Sequence, residues 1–142
     1  MNYTRLLIIP VILAAAPALT TPTLAQTYTT AAEVKPILGA TKPGWIAVRE
    51  YDGQDLLYFT NLLAWRCGLS GITYAINAEP PQVWEMEPCH DGSTQPNAIT
   101  DAGPLIYTTR PLGSIATITV IATYDDGTTE TGDYTRTSVL MP

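Results

Sequence analysis

The sequence predicts an all-β fold, an antiparallel β-sandwich of about seven strands. Three observations predict it. From residue 44 onward, short runs alternate apolar and polar residues with period two. Turn residues punctuate those runs: Asp52-Gly53, Glu79-Pro80-Pro81, Arg110-Pro111-Leu112-Gly113 and Asp125-Asp126-Gly127. No helical period is sustained past residue 44. With 142 residues, 46% hydrophobic and 14% charged, the chain suits one domain and is too apolar to be disordered.

Residues 1–25 read as a secretory leader. Arg5 supplies the positive start, and Leu6 to Leu19 is apolar but broken by Pro10 and Pro17. That run falls short of the ~20 residues a membrane-spanning helix needs. Thr23-Leu24-Ala25 places small residues before a cleavage point at Gln26. The expected address is the periplasm or the cell exterior, with no stable membrane insertion after cleavage. Export makes a Cys67–Cys89 disulfide the expectation. Such a bridge restricts the unfolded chain by about 3 kcal/mol.

Residues 26–43 form a Thr- and Ala-rich lead-in. Thr30-Ala31-Ala32-Glu33 fits a capping box, and a short helix is expected from there to Leu38, ending at Gly39. Pro36 argues against a longer one, because it lacks an amide hydrogen. The sandwich domain is expected to occupy residues 44–142.

Its first strand runs from Trp45 to Tyr51, with Ile46 and Val48 on one face and Arg49 on the other. Asp52-Gly53 is a strong two-residue hairpin signal. Asp55 to Arg66 is apolar on both faces, which suits a central strand; a helix is the competing reading. Ile72 to Ile76 is the next strand. Gln82 to Glu87 follows, with Val83, Glu85 and Glu87 opposite Trp84 and Met86. Pro88 to Pro104 is the longest irregular stretch, and Leu105 to Thr109 a short strand. Ile115 to Tyr124 and Thr128 to Val139 form the last hairpin. A two-residue loop there would pair Thr119 with Tyr134. A three-residue loop with Gly127 left-handed pairs Ile118 with Tyr134, and is preferred because it sets Tyr134 on the core face.

The Arg110-Pro111-Leu112-Gly113 tract, the long strand after it, the Tyr-Asp-Asp-Gly turn and the last strand resemble the end of an immunoglobulin-like or fibronectin type III-like domain. The resemblance covers residues 44–139 as architecture. The Cys…Trp…Cys arrangement of antibody domains is absent, and a Cys67–Cys89 bridge would join neighbouring strands. More narrowly, the stretches Trp45-Ile46-Ala47-Val48-Arg49-Glu50-Tyr51-Asp52-Gly53-Gln54-Asp55-Leu56-Leu57-Tyr58-Phe59-Thr60 and Trp65-Arg66-Cys67-Gly68-Leu69 resemble a family of small exported bacterial proteins of unknown function. That resemblance implies no site residues.

Composition narrows the function. Seven Lys and Arg stand against 13 Asp and Glu, a net charge of −6, and the basic residues are scattered. Such a chain repels nucleic acid. One His and two Cys cannot assemble a four-ligand zinc site. No cofactor, metal or catalytic residue is assigned.

His90, beside Asp91, is the one group suited to proton transfer near neutral pH; its plainer reading is a solvated loop imidazole. Gly68-Leu69-Ser70-Gly71 misses a nucleophile elbow by one position. Glu85 and Glu87 share a strand face and, with Asp91, are candidate oxygen ligands for a hard cation; their plainer reading is a solvated acidic face. Trp84 with Met86 is a candidate recognition anchor, extended by Tyr51, Tyr58 or Tyr74. The plainer reading of Trp84 is packing against the bridge and the long loop. Arg66 is expected to pair with Glu50 or another carboxylate.

The expectation is an exported, non-catalytic binding or accessory module. Its site would be Trp84, Glu85, Met86, His90 and Asp91, and its partner another envelope or secreted protein, or a glycan. The alternatives are a small hydrolase using His90 with a carboxylate, and a structural component of an envelope assembly with residues 26–43 as its arm.

Overall fold

The computed structural model describes residues 27–142. The expected leader, residues 1–25, lies outside the described residues. Seven strands build two antiparallel sheets: β1 (Ala47–Tyr51), β2 (Gln54–Tyr58), β3 (Leu69–Ile76), β4 (Gln82–Trp84), β5 (Tyr107–Pro111), β6 (Thr117–Tyr124) and β7 (Thr129–Thr135). The strand orders are β1-β2-β5 and β4-β3-β6-β7. Val48 and Leu57 from the first sheet and Ile72, Ile76, Ile118 and Val120 from the second share one core. In the constant-type immunoglobulin arrangement the fourth strand lies beside the fifth. Here β4 pairs with β3 instead.

Both tight hairpins form where the turn residues sit. Tyr51 pairs with Gln54 across Asp52-Gly53. Both loop residues have positive φ, 50° and 71°, as a turn matched to the strand twist requires. At the last hairpin Ile118 pairs with Tyr134, and Gly127 is left-handed at φ 81°. Tyr134 is accordingly buried on the core side.

Asp55 to Arg66 is not one strand. β2 stops at Tyr58, and α2 (Thr60–Leu63) and a 3-10 turn (Arg66–Gly68) follow. Phe59, Leu62 and Leu63 are spaced i, i+3, i+4, so a helical turn brings all three to one side, and all three are buried. β7 likewise ends at Thr135, and α3 (Arg136–Val139) turns Val139 into the core.

The helix of the lead-in, α1 (Ala31–Thr41), is longer than expected and passes through Pro36. Pro36 and Ala32, whose carbonyl loses its amide partner to the proline, both lie on the exposed side, where water replaces that bond. Ala31, Val34 and Leu38 join the core. A Cβ at Gly68 would approach the Thr30 carbonyl to 2.9 Å and Val34 more closely, so only glycine lets the helix lie there. The Glu33 carboxylate accepts from the amides of Thr29 (2.9 Å) and Thr30 (3.1 Å), the backward half of the expected capping box. The Thr30 side chain facing the Glu33 amide completes the box, and its hydroxyl also donates to the Glu33 carboxylate. The β6–β7 turn supplies the rest: Asp125 accepts from the Ala31 amide at 2.9 Å, and Lys35 pairs with Asp126.

Candidate binding site

The residues expected to form a site do not converge. Trp84 does oppose Val83 and Glu85, but its face is covered. It is 8% exposed and stacks on Phe59 at 4.1 Å between ring centroids, with Tyr74 edge-on at 5.8 Å. A ring held in the core cannot serve as a surface anchor. Its indole nitrogen has no partner among the described residues. Met86 also packs inward, whereas Glu85 and Asp91 are exposed. Tyr74 belongs to the core as well.

The Cys67–Cys89 disulfide is formed and ties the turn before β3 to the loop after β4. Arg66, beside it, is 3% exposed, and the carboxylate it meets is Glu87, at 4.0 Å, not Glu50. Its hydrogen bonds go to five backbone carbonyls: Leu63 (3.3 Å), Glu87 (2.7 Å), Pro88 (3.1 Å), Asn97 (2.6 Å) and Ala98 (2.8 Å). Five donors in a fixed fork suit that task, which no other side chain could perform. His90 meets Glu87 at 2.9 Å rather than Asp91. Glu87 also accepts from the Thr100 hydroxyl and amide. Those Thr100 bonds, then His90 and Arg66, hold its carboxyl below the ordinary range. This arrangement clasps the loop, and its polar groups are engaged with one another. Ser70, from the near-elbow, donates to the Tyr124 carbonyl at 3.0 Å. Among the described residues no three His, Cys, Asp or Glu side chains are grouped to hold a metal ion.

Glu50 finds a different arginine. Arg136 binds Asp55 through both nitrogens, at 2.6 and 2.8 Å, and Glu50 at 2.6 Å. Asp55 is fully buried and also accepts from the amides of Gly113 and Ile115. The pair closes one end of the sandwich between β2 and α3.

The outer face of the three-stranded sheet is built differently. Cross-strand pairing sets three rows on it: Ala47, Tyr58 and Tyr107; Arg49, Leu56 and Thr109; Tyr51, Gln54 and Pro111. Two adjoining hollows run along it. One, of about 380 Å³, is lined by Trp45, Ala47, Arg49, Tyr58, Asn61 and Met141 among others. The second, of about 290 Å³, has Arg49, Tyr51, Asp52, Gln54, Leu56, Tyr58 and Tyr107 among the residues of its walls. Leu56 is only 7% exposed there, although it points away from the core.

Tyr58 and Tyr107 lie 5.2 Å apart, and the Arg49 guanidinium sits 4.9 Å over the Tyr51 ring. The inward tyrosines engage their hydroxyls internally: Tyr74 with Gln82, Tyr124 with Glu130, Tyr134 with the Lys42 carbonyl. The hydroxyls of Tyr51, Tyr58 and Tyr107 have no such partner among the described residues. Lys35, Lys42, Arg66, Arg110 and Arg136 each lie within 4.0 Å of a carboxylate. Among the described residues Arg49 alone of the Lys and Arg side chains does not.

Sequence reasoning named Tyr51 and Tyr58 but attached them to the wrong surface, and passed over Arg49 and Tyr107. A usable signal existed: if Val48 faces the core, period two sends Arg49 and Tyr51 outward. The opposite outer face, on the four-stranded sheet, carries Thr73, Thr119, Thr123, Thr129 and Thr131, with Ile121 among them.

The fold and this surface together define a small disulfide-bridged β-sandwich with an aromatic groove on its three-stranded sheet. Compared with protein-family models, curated proteins and solved structures, the chain matches none of them.

Proposed function

We propose that the protein is an exported, non-catalytic binding module of the periplasm or cell exterior, and that its ligand lies on the outer face of the three-stranded sheet. One observation carries this reading. Arg49, Tyr51, Tyr58 and Tyr107 line two adjoining hollows, and among the described residues the tyrosine hydroxyls have no hydrogen-bond partner and Arg49 no carboxylate within 4.0 Å. Among the described residues the other Lys and Arg side chains each lie within 4.0 Å of a carboxylate, and the hydroxyls of Tyr74, Tyr124 and Tyr134 are bonded internally. Aromatic rings with a polar tip carry large contact area at low entropy cost, which suits recognition.

The test compares three proteins: the parent chain, Tyr58→Ala, and Thr131→Ala on the opposite face. Each is immobilised and exposed to the protein and polysaccharide fractions of the producing cell's envelope and medium. Retention by the parent and by Thr131→Ala, lost in Tyr58→Ala, is the expected result. Equal retention by all three, or none by any, would overturn the reading.

A further inference from the structure

Building on that binding-module reading, we infer that the ligand is an oligosaccharide, largely neutral and carrying an isolated carboxylate. Arg49 holds the carboxylate; Tyr51, Tyr58 and Tyr107 meet the sugar rings and hydroxyls.

Charge points to the carboxylate. The chain carries a net charge of −6, and Arg49 is its one basic side chain, among the described residues, without a carboxylate within 4.0 Å. Stacking on Tyr51 at 4.9 Å orients its planar fork. That fork matches a carboxylate with two parallel hydrogen bonds. The chain's net negative charge, with Asp52 in the wall of one hollow, opposes a polyanion and favours a single acid group at Arg49. The ligand's acid groups are therefore sparse.

Hydrogen-bonding groups point to sugar. Three tyrosine hydroxyls on the face have no partner among the described residues. Asn61 engages only its amide nitrogen, with the Gly44 carbonyl at 2.9 Å, which leaves its oxygen to accept. Sugars present dense hydroxyls around apolar C–H faces, and this wall alternates ring faces with hydroxyls. Two hollows sharing Arg49 and Tyr58 suit linked rings rather than one small molecule.

A peptide fits less well. The N–H and C=O groups of β2 are engaged with β1 and β5, so a peptide laid over it finds no backbone partner. Peptides that add to sheets do so at edges. Of the sheet's two edges, β1 is already met at Val48, where Leu140 forms a parallel bridge and the Met141 amide donates to the Val48 carbonyl at 2.8 Å; β5 is the other, and the peptide in the test probes it.

The test titrates the full chain with a panel of oligosaccharides, each containing one glucuronic or galacturonic residue. Each is paired with its carboxyl-reduced neutral counterpart, and a short peptide with a single glutamate is included. The parent should bind at least one acidic member about tenfold more tightly than its reduced counterpart. Arg49→Gln should erase that preference, and Tyr58→Ala should weaken both forms by about tenfold. Circular dichroism confirms that each variant is folded. Equal binding of acidic and reduced forms, or a preference that survives Arg49→Gln, overturns the inference. So does failure of every oligosaccharide. If the peptide binds instead, or the envelope fractions are still retained through Tyr58, the sugar assignment falls and the binding-module reading stands.

Discussion

The loop between β4 and β5 and the outer face of β1, β2 and β5 hold similar side chains and use them in opposite ways. Glu87, His90 and Thr100 of the loop, with Arg66 reaching in from the turn before β3, are turned on one another and on backbone carbonyls. On the sheet, Arg49 and three tyrosines face outward with no internal partner among the described residues. The reason is structural. An irregular loop leaves its own backbone groups unpaired, and buried side chains must satisfy them. A sheet satisfies its backbone through its ladder and leaves outward side chains available. Polar richness in a loop is therefore weak evidence of a binding site.

Replacing Arg66 tests the first half of that contrast and has the largest expected effect. Arg66→Met strips the donors from five carbonyls and should lower the unfolding free energy by about 3 kcal/mol or more. Urea denaturation measures it. Arg66→Lys should recover only part, because an ammonium cannot span five acceptors. A loss below ~1 kcal/mol would mean that the loop does not depend on this clasp.

Acid sharpens the comparison within the sheet itself, whose inner side carries an engaged carboxylate. Arg136, above all through its hydrogen bonds, draws the Asp55 carboxyl from its ordinary 3.8 down to about 2. A carboxyl lowered by folding stabilises the native state above its unfolded value, and that contribution is lost as pH falls from about 4 through 2. Asp126, drawn to about 2 mainly by Lys35, acts in the same direction. Asp55→Asn should therefore be less stable at pH 7 and lose less Tm than the parent between pH 4 and pH 2. Parallel losses in both would show that Asp55 titrates without linkage to folding.

The smallest effect is expected on the outer face. Tyr51 is 58% exposed, so Tyr51→Ala should change stability by no more than about 0.5 kcal/mol. A larger loss, read by thermal unfolding, would make this ring part of the scaffold rather than a contact surface.

Much of the fold was legible in local chemistry. Asp52-Gly53 and Asp125-Asp126-Gly127 marked the hairpins, since few residues tolerate positive φ. The register of Tyr134 followed from asking which face must be buried. Alternation set Trp84 opposite Val83 but did not show that the inward side was already covered by Phe59 and Tyr74. The segment after Tyr58 misled because residues apolar on both sides fit a strand or a helical turn equally well.

The candidate site was less legible, because it depends on pairings across long separations. Arg66 and Arg136 look alike in sequence. One reaches carbonyls up to 32 residues away, and the other a carboxylate 81 residues away. Arg49 differs from both only in what surrounds it.

The sequence by itself determined the turns and the alternating strands, because each follows from backbone conformation or side-chain period within a few residues; with two cysteines in the chain it also left one intramolecular pairing to form. Only the tertiary structure decided that Trp84 is core, that the lead-in helix packs into that core, and that Arg49, beside three tyrosines, has no carboxylate partner among the described residues. Burial and charge pairing are set by whatever the fold brings within a few ångströms, and those neighbours lie far away along the chain.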